Sequence, residues 1–320
     1  MALRIIEAGL QTSIQDSGRH GFQSSGFSIS GVLDSWAAQL ANITVNNRPG
    51  EAVLEMSYVG PSITFEADMV IALTGADMAA KIDGRPIALG KPIPVTTGET
   101  LQLRTARKGL HCYLSVKGGL NVPSFLGSKS ASLKDNLGGD FTGRLRVGDS
   151  IPIHTPLKSK PFSWQLSPEL FAYINKNEKK IRFLQGRQID WFSQEAISRF
   201  TSTPYKSSPQ SNRMGYQLQG LPLTTNKSKD LTTEAAAFGT IQVPPDGQPI
   251  VLMAESQPTG GYPKIGQIIQ DDLPVLSQAA PGQPILFQTA SLAEAQRELV
   301  RNKHSLTALR LFTEMKWKEF

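Results

Sequence analysis

One corner recurs three times in this chain and commits it to short strands: a glycine turn feeding alternating large apolar residues. It reads Thr97-Gly98-Glu99-Thr100-Leu101-Gln102-Leu103, then Val147-Gly148-Asp149-Ser150-Ile151-Pro152-Ile153, then Pro281-Gly282-Gln283-Pro284-Ile285-Leu286-Phe287. Glycine takes the positive φ that a tight reversal needs. The period of two that follows lays one face of a strand on a core. The copies stand about 50 and about 130 residues apart, too irregular for a solenoid. Two β-barrels, each closing with a similar final strand, fit that spacing. The 28 glycines and 21 prolines in 320 residues exceed the usual share of about 12%, which favours turns and short strands over long helices.

Other segments agree. Ser62–Glu66 alternates as a half-buried strand, Met69–Leu73 reads as a fully buried one, and Asp83-Gly84 is a hairpin signal between Ala79–Ile82 and Arg85–Ile87. Helices are few. Asp34 caps a helix over Ser35–Asn42, Ser167-Pro168-Glu169 offers a cap with proline at the first helical position, and Ser291 with Glu294 forms a capping box for a terminal helix. The polar, proline-bearing stretch 154–164 is the expected linker. The chain thus divides into an N-terminal barrel domain over 1–158, a second barrel over 159–290 and a helical tail over 291–320, matching roughly 150 residues per domain.

Composition excludes several classes. A hydrophobic share of 39% and a charged share of 19% are enough to bury a core. The net charge of +6 reads as a solvated surface, with no nucleic-acid partner expected. The longest apolar runs, such as Ile250–Ala254, hold five residues, against about 20 for a membrane span. The N-terminus carries an acid, Glu7, where a signal peptide needs apolar residues. A lone Cys112 in an alternating strand is expected as a buried thiol. A soluble, cytoplasmic protein is expected. There is no phosphate loop, dinucleotide fingerprint or nucleophile elbow, and the four histidines are too scattered for a zinc site.

Polar residues crowd between glycines in three places. The first is Asp16–Gly21 with Ser28–Asp34, where two turns and a helix cap are the plain alternative to a site. The second is Ser211-Asn212-Arg213-Met214-Gly215-Tyr216, whose arginine has the planar fork that holds a carboxylate or phosphate bidentately. The third runs from Gly239 through Pro245-Asp246-Gly247 and the strand Ile250–Ala254 to Glu255-Ser256-Gln257-Pro258-Thr259-Gly260-Gly261-Tyr262-Pro263-Lys264. An acid, an amide, a hydroxyl and an amine within ten residues make a candidate anion or amide site, and the paired glycines let backbone approach a ligand.

These residues also carry a resemblance. Asp16-x-Gly-Arg19, Ser30-Gly31-x-x-Asp34, Leu54-Glu55, Leu73–Ala76, Gly118-Gly119, Ser211–Tyr216, Gly239–Pro245 and Thr259–Pro263 occur in order. Together they resemble the biotin-dependent carboxyltransferase-like family, also called allophanate hydrolase subunit 2 or KipA-like. Its bacterial members include the C component of ATP-hydrolysing 5-oxoprolinase. The resemblance implies a mainly β fold with two cyclophilin-like barrels. It also implies a KipI-like B component and a LamB/YcsF-type A component as partners, with ATP and Mg2+ consumed in opening 5-oxoproline to glutamate. On that reading Arg213 and Lys264 hold the transferring phosphoryl group and the substrate carboxylate, with Glu255 and Gln257 as proton or hydrogen-bond partners. Asp16, Arg19, Ser30, Asp34, Glu55, Asn212, Tyr216, Thr259, Gly260, Gly261 and Tyr262 become substrate or nucleotide contacts; no metal ligand set is implied. Four positions depart from the family's usual residues: Glu255 for aspartate, Pro258 for threonine, Ser28 for proline, and Thr233-Glu234-Ala235 for Ser-Glu-Gly.

Two further functions are compatible with the same family. One is a urea-carboxylase-type carboxyltransferase served by a carboxybiotin carrier. Glu314-Met315-Lys316-Trp317 superficially resembles a biotinyl site, but only four residues follow Lys316, so no biotin is expected on this chain. The other is a KipA-like regulator that binds a kinase inhibitor without catalysis.

Overall fold

The protein is described by a computed structural model over residues 1–137, 139–225 and 231–319. Packing groups the chain into two units: Met1–Arg19 with Ser30–Asn175 and the chain from His304 onward, and His20–Ile29 with Lys176–Lys303. The expected mainly β fold with few helices is what the chain adopts.

The first unit is built from two sheets. The six-stranded one runs in spatial order Ser150–Pro152, Ala2–Glu7, Ser62–Phe65, Thr100–Gln102, Lys81–Ile82 and Arg85–Pro86. The five-stranded one runs Gln11–Gln15, Val53–Ser57, Lys108–Val116, Met69–Asp77 and Ile93–Val95. Ile5, Ile63 and Leu101 of one sheet and Leu54, Leu73 and Leu114 of the other share one buried core. The hairpin at Asp83-Gly84 forms with both residues at positive φ (45° and 78°), the turn whose twist suits a two-residue loop. The helix Ser35–Thr44 begins where Asp34 accepts the Ala37 amide.

The stretch 154–164 does more than link. Phe162 is buried against Val45, Val70 and Ala72, and Trp317 of the terminal helix packs on it at a tilt of 49° with ring centroids 4.8 Å apart. Trp317 also donates its indole N–H to the Thr44 carbonyl at 3.1 Å. Neither contact is visible in a composition rich in proline and lysine, and the first unit continues to Asn175 rather than stopping near 158. The segment Pro168–Asn175 is a 3-10 helix.

The second unit closes a seven-stranded barrel in the order Lys179–Gln185, Lys264–Ile268, Thr240–Gln242, Ile250–Leu252, Gly215–Gln219, Tyr205–Ser207, Pro284–Thr289. The last strand follows the third glycine corner and closes the ring, antiparallel to Tyr205–Ser207 and parallel to Lys179–Gln185. The second corner leads elsewhere: Ser150–Pro152 lies at the edge of the six-stranded sheet. Aromatic residues of the strands and of the helix Gln194–Ser202 pack together, with Phe200 stacked on Phe287 at 4.5 Å and Phe183 edge-on to Phe200 at 5.3 Å. After the barrel comes the helix Leu292–Lys318, opened by the expected box in which Ser291 and Glu294 bond each other's backbone amides. Among the described residues no helix is long and apolar enough to cross a membrane.

Candidate functional site

A cleft of about 460 Å³ opens in the second unit at the ends of barrel strands, a size typical of small-molecule sites (about 300–1,000 Å³). Its lining includes the apolar residues Ala235, Ala236, Phe238, Met253 and Pro258 and the polar residues Gln185, Arg187, Thr240, Lys264 and Gln267. The strands meet closely because Gly186 carries no side chain: a Cβ there would stand 2.2 Å from the Lys264 carbonyl oxygen.

Lys264 is the site's buried cation, 6% exposed at the start of its strand. Its Nζ donates to Glu234 Oε1 at 3.1 Å and, at the limit, to the Gly260 carbonyl at 3.5 Å. Glu234 Oε1 also accepts the Gln188 side-chain amide at 2.6 Å, and Arg187 lies 3.4 Å from Oε2. Gln188 in turn accepts the Lys264 backbone N–H at 3.2 Å. Glu234 reaches this place because Glu234–Ala235 pairs with Thr259–Gly260 as a two-stranded sheet. A buried ammonium needs such a partner, and the bond from Lys264 holds the Glu234 carboxyl below its ordinary value of 4.5.

That shift has a sign. A depressed carboxyl pKa gives stability that is present above the unfolded value and lost as pH falls through the folded one. The gap in melting temperature between wild type and Glu234→Gln is therefore expected to be full above about pH 4.5 and to close in more acid solution. A gap that does not change with pH would mean that the Glu234 charge is idle.

Of the residues singled out in the sequence, Lys264 and Gly260 come together here. Arg213 and Glu255 come together elsewhere. Ala254 and Ser256 line the cleft, while Glu255 between them turns to Arg213, whose Nε donates to its Oε1 at 2.6 Å. Both side chains are almost wholly buried, so Arg213 ties its loop to a neighbouring acid. Gln257 and Thr259 are exposed. Gly261 and Tyr262 line a separate hollow of about 620 Å³ with Leu223 and Pro244. Asn212 is exposed and accepts the Met214 amide, and the Tyr216 hydroxyl donates to the Ser277 carbonyl.

The N-terminal candidates lie in the first unit. Asp16 accepts the Ser128 and Ser130 hydroxyls and the Lys129 amide, each at 2.6 Å. Arg19 donates to the Phe125 and Ser130 carbonyls and lies over the Phe125 ring. Ser30 is buried with φ at 56°. Asp34, besides capping its helix, accepts the Tyr173 hydroxyl at 2.5 Å; Glu55 accepts the Tyr113 hydroxyl at 2.9 Å and the Leu33 amide at 2.8 Å. Burial, with these carboxylates adjacent, pushes both tyrosines well above their ordinary value. Cys112 is buried, its thiol pushed up to about 12, as a structural cysteine should be. Lys316 pairs with Glu319 on the terminal helix.

Sequence reading missed Glu234, Gln188 and Arg187 as site residues. The only signal was Glu234 standing inside the Thr233-Glu234-Ala235 stretch.

The fold matches a carboxyltransferase architecture. Kluyveromyces lactis urea carboxylase superposes with a TM-score of 0.90 at 27% identity, over 96% of this chain and 29% of that one. Residues 25–289 match the carboxyltransferase domain family, subdomain A and B, and the chain belongs to that family. It is 39% identical to the 5-oxoprolinase C subunit of Escherichia coli (strain K12) over 92% of this chain and 93% of that one. It is 31% identical to the 5-oxoprolinase C subunit of Haemophilus influenzae, over 98% and 99%.

Proposed function

We propose that this chain is the C-type component of an ATP-hydrolysing 5-oxoprolinase, acting in the cytoplasm with a KipI-like B component and a LamB/YcsF-type A component. The observation that carries the reading is reciprocal coverage: the chain and two proteins named as 5-oxoprolinase C subunits match over more than nine-tenths of both lengths. The reaction needs ATP because a lactam carbonyl is a poor electrophile. Attack of the lactam oxygen on the γ-phosphorus expels ADP and leaves a carbon open to water. Water addition then breaks the ring C–N bond, and a second water releases phosphate from the acyl phosphate to leave glutamate. The cleft offers a cation for an anionic group and apolar side chains for a compact ring.

The three co-purified components should release ADP and glutamate together from ATP and 5-oxoproline, and omission of this chain should abolish both. An unchanged rate without it would overturn the reading. The carboxyltransferase reading draws support from the superposition on urea carboxylase. It requires instead that turnover depend on a biotinylated carrier and bicarbonate, and the same assay separates the two. A purely regulatory chain would leave the other two components active alone.

A further inference from the structure

Gln188 does not line the cleft, yet its side-chain amide joins Lys264, the buried cation there, to the acid that matches it. It is 7% exposed, on a turn that runs beside the lysine strand, where the Gly186 amide donates to the Ile265 carbonyl at 2.9 Å. Its side-chain oxygen accepts the Lys264 backbone N–H at 3.2 Å, and its Nε2 donates to Glu234 Oε1 at 2.6 Å. That carboxylate oxygen is the one that accepts the Lys264 ammonium at 3.1 Å. Both ends of the amide are thus committed, one to a donor and one to an acceptor, which fixes its orientation. Glu234 needs such a hold. Its own strand, Glu234–Ala235, is two residues long. The other charged group facing it among the described residues, Arg187, lies 3.4 Å from Oε2 with a side chain 82% exposed, and so exposed an ion pair contributes little.

We propose that Gln188 is a positioning residue of this site: it holds the Glu234 carboxylate against Lys264 and so fixes the ammonium at the cleft, without touching the ligand itself. The link from this geometry to turnover rests on the 5-oxoprolinase reading. The amide is the group the place requires. Leucine would bond neither partner. Glutamate keeps the shape, but once ionised it has no donor and sets a second negative charge against Glu234. When the two carboxyls take up one proton between them, an O–H donor returns, and with it the wild-type arrangement.

The test uses Gln188→Leu and Gln188→Glu with two readouts. The first needs no ligand: the melting gap that Glu234→Gln opens in the full chain, followed against pH with and without Gln188→Leu. The bonds from Lys264 and from Gln188 both lower the Glu234 carboxyl. Removing the Gln188 donor raises the folded-state value, so in the Gln188→Leu background the gap should close at a higher pH. The second is ADP release by the assembled complex across pH. Gln188→Leu should run roughly ten- to a hundredfold slower, the effect of a lost hydrogen bond to a charged group, and lose further rate as pH falls. Gln188→Glu should do the reverse and gain rate as acid supplies its proton. In a Glu234→Gln complex, Gln188→Leu should slow release no further, because it acts through Glu234. A gap that closes at the same pH in both backgrounds, or parallel pH profiles for the two variants, would overturn the positioning role and leave the functional reading intact. If the gap shifts as expected but the wild-type complex releases no ADP from 5-oxoproline and ATP, the functional reading fails and the positioning role stands.

Discussion

Lys264→Met should lower 5-oxoproline-dependent ADP release by about a hundred- to a thousandfold while the complex still assembles. The substitution removes the buried cation of the cleft and leaves Glu234 without its ammonium partner. Lys264 is the buried member of its pair and Glu234 is half-buried; removing the buried charge of such a pair costs roughly 2–5 kcal/mol, and each 1.36 kcal/mol is a factor of about ten in rate. Stability should change less than activity, because Glu234 keeps the Gln188 amide and the Arg187 guanidinium. Lys264→Arg keeps the charge but exchanges a compact ammonium for a planar fork with different donor directions, so it should recover only part of the rate. The decisive measurement is ADP release with and without 5-oxoproline, alongside a melting curve on the same preparation. A near-normal rate in a destabilised Lys264→Met would show that the lysine merely braces its strand.

The local features of this fold were legible in the sequence because their causes are local. Gly98, Gly148 and Gly282 sit at φ of 92°, 93° and 82°, each just before the strand its corner announced. The Asp34 cap and the Ser291–Glu294 box need only a side chain and an amide three residues away. The site was legible only in part, for a physical reason. A polar, glycine-rich stretch has the same composition whether its side chains await a ligand or bond to distant parts of the chain. Asp16 and Arg19 bond to a loop more than 100 residues on, and that loop has no marker tying it to them. Glu234 matters because a two-stranded pairing brings it beside Gly260, where the Lys264 ammonium meets it. That pairing does not exist until the chain is folded. Phe162 makes the same point for domain limits: one buried ring attaches a polar stretch to the first unit.

Arg213 offers the largest expected effect on stability, and its direction follows from the pair it forms. Arg213 Nε and Glu255 Oε1 stand 2.6 Å apart with side chains 4% and 2% exposed. The Glu255 amide also donates to the Arg213 carbonyl at 2.8 Å, so backbone and side chains join the same two segments. Arg213→Ala takes the guanidinium away from a buried carboxylate and should cost about 3–5 kcal/mol. For a protein of this size that is a fall of roughly ten degrees or more in melting temperature. Arg213→Lys keeps a charge but loses the fixed geometry of the guanidinium, and should fall between wild type and the alanine variant. Replacing both partners, as Arg213→Met with Glu255→Leu, removes both buried charges and should restore most of the loss, giving a large coupling in a double-mutant cycle. Residual activity in the folded fraction should stay close to normal, since neither side chain lines the cleft. An Arg213→Ala protein that melts like wild type yet no longer releases ADP would reverse the assignment, moving Arg213 from a buried tie to a group that touches the ligand.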